Sequence, residues 1–515
     1  MSLKSYRFVA QALLACLFAV CVYRAFTQSI VFDEALTWQL YIAGPIENIF
    51  HYFDANHHFL NTVLMRLSTG LFGVSEWSLR LPALAGAALY FTACYRLARA
   101  AFGDGFSMLL AVAVVTLNPF VLDFMVAARG YGLALALWMY AAAILLDAFS
   151  RRAFLPKQMA TAGAAVALSV TANLVFILPA AALAGTALYL IRRGGSIAAA
   201  EAPQKIPQPP PRTRSARTKK KSAAALSPRK SGFPRWAGFV LPIALIGLLF
   251  FNLAPFESMR SKDFYTGAAS ISQSLRSLAA SSLAHSGPLR NQPWVRRWSD
   301  LVALAIAPLA VAAGLVIGTL RRNVLLIVVS VAVVFSAAGC LALRLLLNWP
   351  YPEDRTGLYF LPLTSLVLVG LAYCLQADKR PLKLVSFALY ALSAVFVVHF
   401  ATEFNTRKFL VWEYDADTRS MGEYIAAHRP ANQPVVRIGG SWQLQESLSF
   451  YMNLRNWSWM ELRRETPVAG SDYYALIPQD RTAVEKRLGL HDVYRGPVSG
   501  SVLAQPIVAP PPPAP

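Results

Sequence analysis

The sequence predicts an all-α polytopic membrane domain carrying a small C-terminal α/β domain, and three observations predict it. Of 515 residues, 56% are hydrophobic and 15% charged, against about 45–50% and about 25% in soluble domains. Eleven apolar stretches approach the roughly 20 residues needed to cross a bilayer. Basic residues gather in the short loops between them, as the positive-inside rule expects.

Taken in order, the expected spans are 8–27, 81–98, 106–122, 131–149, 158–172, 174–191, 236–254, 300–319, 323–343, 358–376 and 384–401. Lys4 and Arg7 precede an apolar run from Phe8 to Tyr23 with no small-x-small pattern closing it, which reads as an uncleaved first span. The stretch 158–191 is too long for one span and divides near Asn173. With the amino terminus inside, Arg96/Arg99, Arg151/Arg152/Lys157, Arg321/Arg322 and Lys379/Arg380/Lys383 all fall on the cytoplasmic side. An odd number of spans then puts the tail, 402–515, on the outer face.

The formal charge of +21 thus reports topology and not nucleic-acid binding. Five cysteines, an odd number inside apolar stretches, suggest neither a disulfide framework nor a zinc site.

Five regions follow: a membrane module at 1–191 containing the long first outside loop 28–80, a linker at 192–235, a second membrane module at 236–401, an α/β domain at 402–505 and a proline-rich end at 506–515. The linker, centred on IPQPPPRTRSARTKKKSAAALSPRK, has too few apolar residues to fold and should be disordered and cytoplasmic, a solvated stop-transfer linker in the plain reading and a contact with anionic lipid in the functional one. In the tail, Met421, Tyr424, Ile425 and His428 keep helical spacing, PVVRIGG and DYYALI read as strands, and Leu444 to Tyr451 is a second helical segment. The closing VAPPPPAP should be extended and unstructured.

Polar groups concentrate in the first outside loop, which opens with IVFDEALTW and continues through HYFDANHHFLNTVLMRL. Asp33 and Glu34 directly follow the first span, where a carboxylate can face a cavity at the membrane surface and act as a base. His51, Asp54 and His58 stand at i, i+3 and i+7, so one helical face could present them together and bind a divalent metal; no such cofactor is expected. Phe59 to Phe72, interrupted by Arg66, is too short to span and should lie along the interface. The loop 255–299 places Arg260, Lys262, Arg276, Arg290, Arg296 and Arg297 outside, against the positive-inside trend, which an anionic substrate would explain and an unpatterned loop would explain as well.

These residues resemble the GT-C superfamily of membrane glycosyltransferases, in particular the branch of protein O-mannosyltransferases, lipid A aminoarabinose transferases and rhizobial core galacturonosyltransferases. The resemblance covers the architecture from 1 to about 401. Its Asp-Glu pair after the first span is matched by Asp33-Glu34, and its Arg-x-Tyr-x-Leu motif by Arg129, Tyr131 and Leu133 in AARGYGLAL. His57-His58-Phe59-Leu60 stands where the branch has a His-Pro-Pro-Leu or Lys-Pro-Pro-Leu segment, without its prolines. Arg355, Tyr359 and Pro362 in EDRTGLYFLP are similar to a later Arg-Tyr motif but differently spaced.

The resemblance implies an inverting glycosyltransferase of GT-C fold in a bacterial inner membrane, moving a sugar from a polyprenyl-phosphate donor to an acceptor glycan, lipid or protein. Asp33 would be the base, Glu34 would orient acceptor or base, and His57 or His58 would line the site. Arg129 and Arg355 would hold the leaving phosphate, since a guanidinium pairs its N–H groups with phosphate oxygens; Tyr131 and Tyr359 belong to the same substrate-binding set. A transporter or lipid flippase is the alternative, although no two-fold repeat is visible and the ionisable residues cluster at one interface. A non-catalytic scaffold, for which Asp33 would be dispensable, is the other.

Overall fold

In a computed structural model of the chain, residues 2–192, 234–259, 267–283 and 292–507 are described. Every apolar stretch expected to span is helical over most of its length, which is how a backbone without water partners satisfies its own N–H and C=O groups. The helices are Leu3–Thr27, Glu76–Phe102, Phe106–Thr116, Gly130–Arg151, Pro156–Ala172, Ile177–Arg192, Arg235–Leu253, Pro293–Leu320, Val324–Leu347, Phe360–Leu375 and Arg380–Glu403. Among the described residues, seven helices are long and apolar enough to cross a membrane, and Phe106–Thr116 and Phe360–Leu375 are apolar but shorter. This is a membrane protein by its helices.

Two local breaks follow from single asparagines. The helix expected over 106–122 stops at Thr116, because the Asn118 side chain accepts from the N–H groups of Phe120 and Val121 and starts a separate helix, Pro119–Phe124. Pro156–Ala172 ends at Asn173, whose side chain accepts from Val175 N–H and opens the next helix. The 158–191 stretch is therefore two helices, divided where the sequence suggested.

The Gly130–Arg151 helix is buried almost all round and packs closely on Glu76–Phe102. A Cβ on Gly86 would stand 3.0 Å from Leu133 Cα, so glycine permits the approach. All five cysteines lie unpaired in these apolar helices.

The tail folds into strands β1 (Val436–Gly440), β2 (Met460–Leu462), β3 (Tyr473–Leu476), β4 (Leu490–Arg495) and β5 (Val502–Pro506), in the order β2-β1-β3-β5-β4. β1 is parallel to both neighbours, with Ile438 opposite Leu462 and Tyr473, whereas β5 runs antiparallel to β3 and β4. Helices Thr418–Ala427, Trp442–Leu454 and Pro478–Leu488 complete the domain, and Met421, Ile425, Ile438, Leu444 and Leu448 share its core. His428, expected on the first of these helices, caps its end and stacks on Tyr424. The basic linker at 193–233 and VAPPPPAP fall outside the described residues.

The tail sits directly on the first loop. Tyr451 Oη accepts Ile30 N–H at 2.8 Å and reaches Glu76 Oε1 at 3.1 Å, where Arg419 also pairs at 2.6 Å. Phe32 and Phe450 add edge-on ring contacts to Trp442 and Trp38. Near the end of the last apolar helix, Asp123 holds Arg24 at 2.6 Å and Leu410 N–H at 2.6 Å, tying the first helix to the start of the tail.

Candidate active site

Asp33 and Glu34 lie on the six-residue helix Phe32–Thr37, one turn beyond the first apolar helix. Both are buried, yet their surroundings differ. Glu34 is fully enclosed. Its Oε1 receives Arg80 Nε at 2.9 Å and Ala128 N–H at 2.6 Å, and its Oε2 receives Arg80 Nη2 at 2.7 Å and Val31 N–H at 3.1 Å. Arg80 spends its other donors on the carbonyls of Ala25, Gln28 and Ser29, at 3.3, 2.8 and 2.7 Å. One ion pair thus joins the end of the first helix, the Asp-Glu segment and the turn just before Arg129.

Asp33 is held by charge instead. Its Oδ2 lies 3.3 Å from Arg355 Nη2 and 3.6 Å from Arg129 Nη2, and it is buried with no hydrogen-bond donor aligned on it. Two guanidiniums face this one carboxylate.

Arg129 is extended at the start of the Gly130–Arg151 helix. Its Nη2 donates to Asn56 Oδ1 at 2.7 Å and its Nη1 to Thr37 Oγ1 at 3.1 Å, while its Nε has no partner. The glycines on either side of Tyr131 are there for space: a Cβ on Gly130 would meet Ala172 O at 1.9 Å and His58 Cβ at 2.8 Å, and one on Gly132 would meet Phe124 O at 1.9 Å. Tyr131 packs against His58 and Phe124 and lies within hydrogen-bonding reach of Arg355.

His57 stacks on Tyr41 with ring centroids 4.4 Å apart, and His58 meets Tyr131 edge-on. Each has a buried Nε2 without a partner. Burial pushes His57 down to about 4 and His58 well below its ordinary value, the latter helped by Arg129. Both are therefore neutral at physiological pH and add no positive charge to that of the arginine pair.

Asp33, Arg129, Tyr131, His58 and Arg355 come together, and His57 stands next to them. Two expectations do not hold. The helix carrying His51 is only Asn48–His51 and ends in an extended residue, Tyr52, after which a turn links Asp54 to His57; His51, Asp54 and His58 share no helical face. Among the described residues no cluster of three or more His, Cys, Asp or Glu side chains is suited to a metal. Tyr359 is buried between helices, against Phe176 and within reach of Ser336 and Cys340, and not in the Asp33 group. Arg355 lies on the single tight turn Asp354–Gly357 and Tyr359 caps the next helix, Phe360–Leu375, so the two do not share one helix face.

Of the basic loop, Arg260, Lys262 and Arg290 lie outside the described residues, and Arg276 pairs with Asp300 at 3.3 Å. Arg296 and Arg297 sit on Pro293–Leu301. Arg66, which interrupts Phe59–Phe72, donates to the carbonyls of Tyr41, Ile42 and Gly44.

Several contributors escaped the sequence. Arg80 could have been noticed as a lone charge entering an apolar stretch. Trp412, whose ring lies 5.6 Å under the Arg355 guanidinium, and Tyr414, close enough to feel both Asp33 and Arg355, gave no signal, because they come from the tail. Asp415 accepts Phe32 N–H at 2.7 Å, one residue before Asp33, and burial pushes its carboxyl well above the usual range.

No family model and no curated protein matches the chain. Solved structures do. ArnT from Cupriavidus metallidurans in the apo state is similar with a TM-score of 0.51 at 11% identity, covering 97% of this chain and 98% of that one. The same protein bound to undecaprenyl phosphate gives a TM-score of 0.44 at 13% identity, covering 98% of both. The archaeal oligosaccharyltransferase AglB from Archaeoglobus fulgidus gives 0.41 at 12% identity, covering 97% of this chain and 74% of that one. At such identities the likeness is one of fold: over nearly its whole length the chain is folded like apo ArnT.

Proposed function

We propose that this chain is an inverting glycosyltransferase that takes a sugar from a polyprenyl phosphate at the outer face of a bacterial inner membrane. The observation that carries the reading is the state of Asp33: a buried carboxylate whose Oδ2 has no hydrogen bond, between two guanidiniums that outnumber it in charge. A phosphate entering this group would draw Arg129 and Arg355 to its own oxygens and release Asp33 to accept a proton. The acceptor oxygen or nitrogen then attacks the anomeric carbon, the carbon–oxygen bond to phosphate breaks with its electron pair leaving on the phosphate, and Asp33 takes the acceptor proton. A single displacement inverts the centre.

Of the two roles expected for Glu34, orienting the base is the one its surroundings support, since Arg80 and two backbone N–H groups occupy its oxygens. His57 and His58 stand beside the Asp33 group as neutral imidazoles, and Tyr131 packs against His58. Eleven crossings, a cytoplasmic amino terminus and linker and an outward tail belong to this reading, because they place Asp33 where a lipid-borne donor presents its phosphate. The acceptor is a glycan, a lipid or a protein.

The test is purified protein with a panel of labelled polyprenyl-phosphate sugars, scored for transfer or for slow hydrolysis. Release of polyprenyl phosphate with at least one sugar is expected. No turnover with any sugar, alongside lipid scrambling or solute flux in proteoliposomes, would replace this reading with that of a transporter.

A further inference from the structure

We propose that Asp354, clamped by Ser277 and Ser281, is a positioning residue that mounts Arg355 against Asp33; this rests on the reading of Arg355 as a phosphate-binding group. The helix Ile271–Leu283 runs along the turn that carries Arg355 and grips it at successive points. Ala268 and Tyr351 exchange both backbone hydrogen bonds, each at 2.9 Å. The Ser274 hydroxyl donates to Pro352 O, and those of Ser277 and Ser281 donate to Asp354 Oδ1 at 2.6 and 2.7 Å. Asp354 N–H returns a bond to Ser277 Oγ at 3.0 Å. On the far side of the turn a Cβ on Gly357 would meet Leu278 Cδ2 at 2.6 Å, so the helix and the turn are in close contact there too.

Ser274, Ser277 and Ser281 stand at i, i+3 and i+7 and share one face of their helix. A mid-helix serine commonly satisfies its hydroxyl on its own backbone; here all three reach the same neighbouring turn, and only Ser281 also lies 3.0 Å from a carbonyl of its own helix, that of Ser277. Asp354 has φ +45°, a left-handed conformation that a residue with a Cβ adopts at some cost. The serine bonds hold it there, and the next residue is Arg355, whose Nη2 reaches Asp33 at 3.3 Å and whose guanidinium lies over Trp412. Arginine is long and rotamer-rich, and its side chain here is 29% exposed, so Asp33 alone does not fix its approach. A rigid backbone beneath it does.

The probe is undecaprenyl phosphate in detergent, with affinity measured by titration calorimetry and unfolding midpoints recorded beside it. Arg355→Ala should weaken binding by about tenfold, the loss of one charge-assisted contact. Ser277→Ala/Ser281→Ala and, separately, Asp354→Ala should each weaken it by roughly three- to tenfold. Asp354→Asn should keep near wild-type affinity, since its carbonyl accepts from both serines and asparagine tolerates the left-handed conformation. In an Arg355→Ala background neither clamp change should weaken binding further, which a merely structural role would not predict. If Arg355→Ala leaves affinity unchanged, the phosphate role of Arg355 falls and the proposal with it. If Arg355→Ala weakens binding while the clamp variants do not, or do so equally without Arg355, the clamp is overturned and the reading of Arg355 stands. Should Asp354→Ala fail to fold, the serine pair beside Asp354→Asn gives the same decision.

Discussion

Adjacent carboxylates in this chain occupy opposite kinds of environment. Around Glu34 every oxygen is taken: Arg80 chelates it, two backbone N–H groups complete it, and Arg80 in turn closes on three carbonyls. Around Asp33 the charges are present but the hydrogen bonds are not, and unpartnered polar atoms of His57, His58 and Arg129 surround it. Buried polar groups are normally paired, so a saturated cluster reads as architecture and an unsaturated one as space kept for something that binds. On the proposed function, the contrast would make Asp33 the reacting group and Glu34 the brace that holds it.

The strongest way to break this division is to neutralise each acid in turn. Asp33→Asn should lower turnover by about 10² to 10⁴-fold, the usual worth of a general base, with the unfolding midpoint and donor affinity nearly unchanged. Glu34→Gln should do the reverse. It leaves Arg80 buried and uncompensated, at a cost of about 3–5 kcal/mol, so the protein should lose thermal stability and yield, with turnover per folded molecule less affected. Thermal melts beside single-turnover rates distinguish the two; near wild-type turnover in Asp33→Asn would end the catalytic assignment.

A smaller effect sharpens the unsaturated side. Arg129→Lys keeps the charge but loses the planar fork that spans Asn56 and Thr37, so donor binding should weaken by about tenfold while the midpoint moves little. Unchanged donor affinity would leave Arg129 as a span boundary only.

The smallest effect concerns His57 and appears only on acidification. Its folded value is depressed to about 4, below an unfolded value near 6.5, so between these the unfolded chain binds more protons and stability falls as pH falls. His57→Phe keeps the stack on Tyr41 and removes the titration. Its midpoint should match the wild type near pH 7 and decline less steeply from pH 6.5 towards 4; parallel curves would show that burial of His57 carries no such penalty.

How much of this was legible beforehand depended on how local the cause was. Apolar length gave the helices and Asn173 gave the break, because both act within a few residues. The break at Asn118 was equally local but was hidden inside a run that looked apolar enough to continue. The His51, Asp54 and His58 face failed because spacing presumes an unbroken helix, and the chain turns at Tyr52.

By itself the sequence determined a helical membrane protein, a small α/β tail and a first loop in which Asp33, His57 and His58 stand out as polar residues beside an apolar span. It could also present Arg129 and Arg355 as motif members, since type and local spacing are properties of the chain. Only the tertiary structure decided that Asp33 is left unsaturated while Glu34 is closed by Arg80, that Tyr359 turns away towards Ser336 and Cys340, and that Trp412 and Tyr414 of the tail complete the group. These are matters of which buried donors find acceptors across separations of up to several hundred residues, and a hydrogen bond depends on distance and direction in space, which residue order does not encode locally.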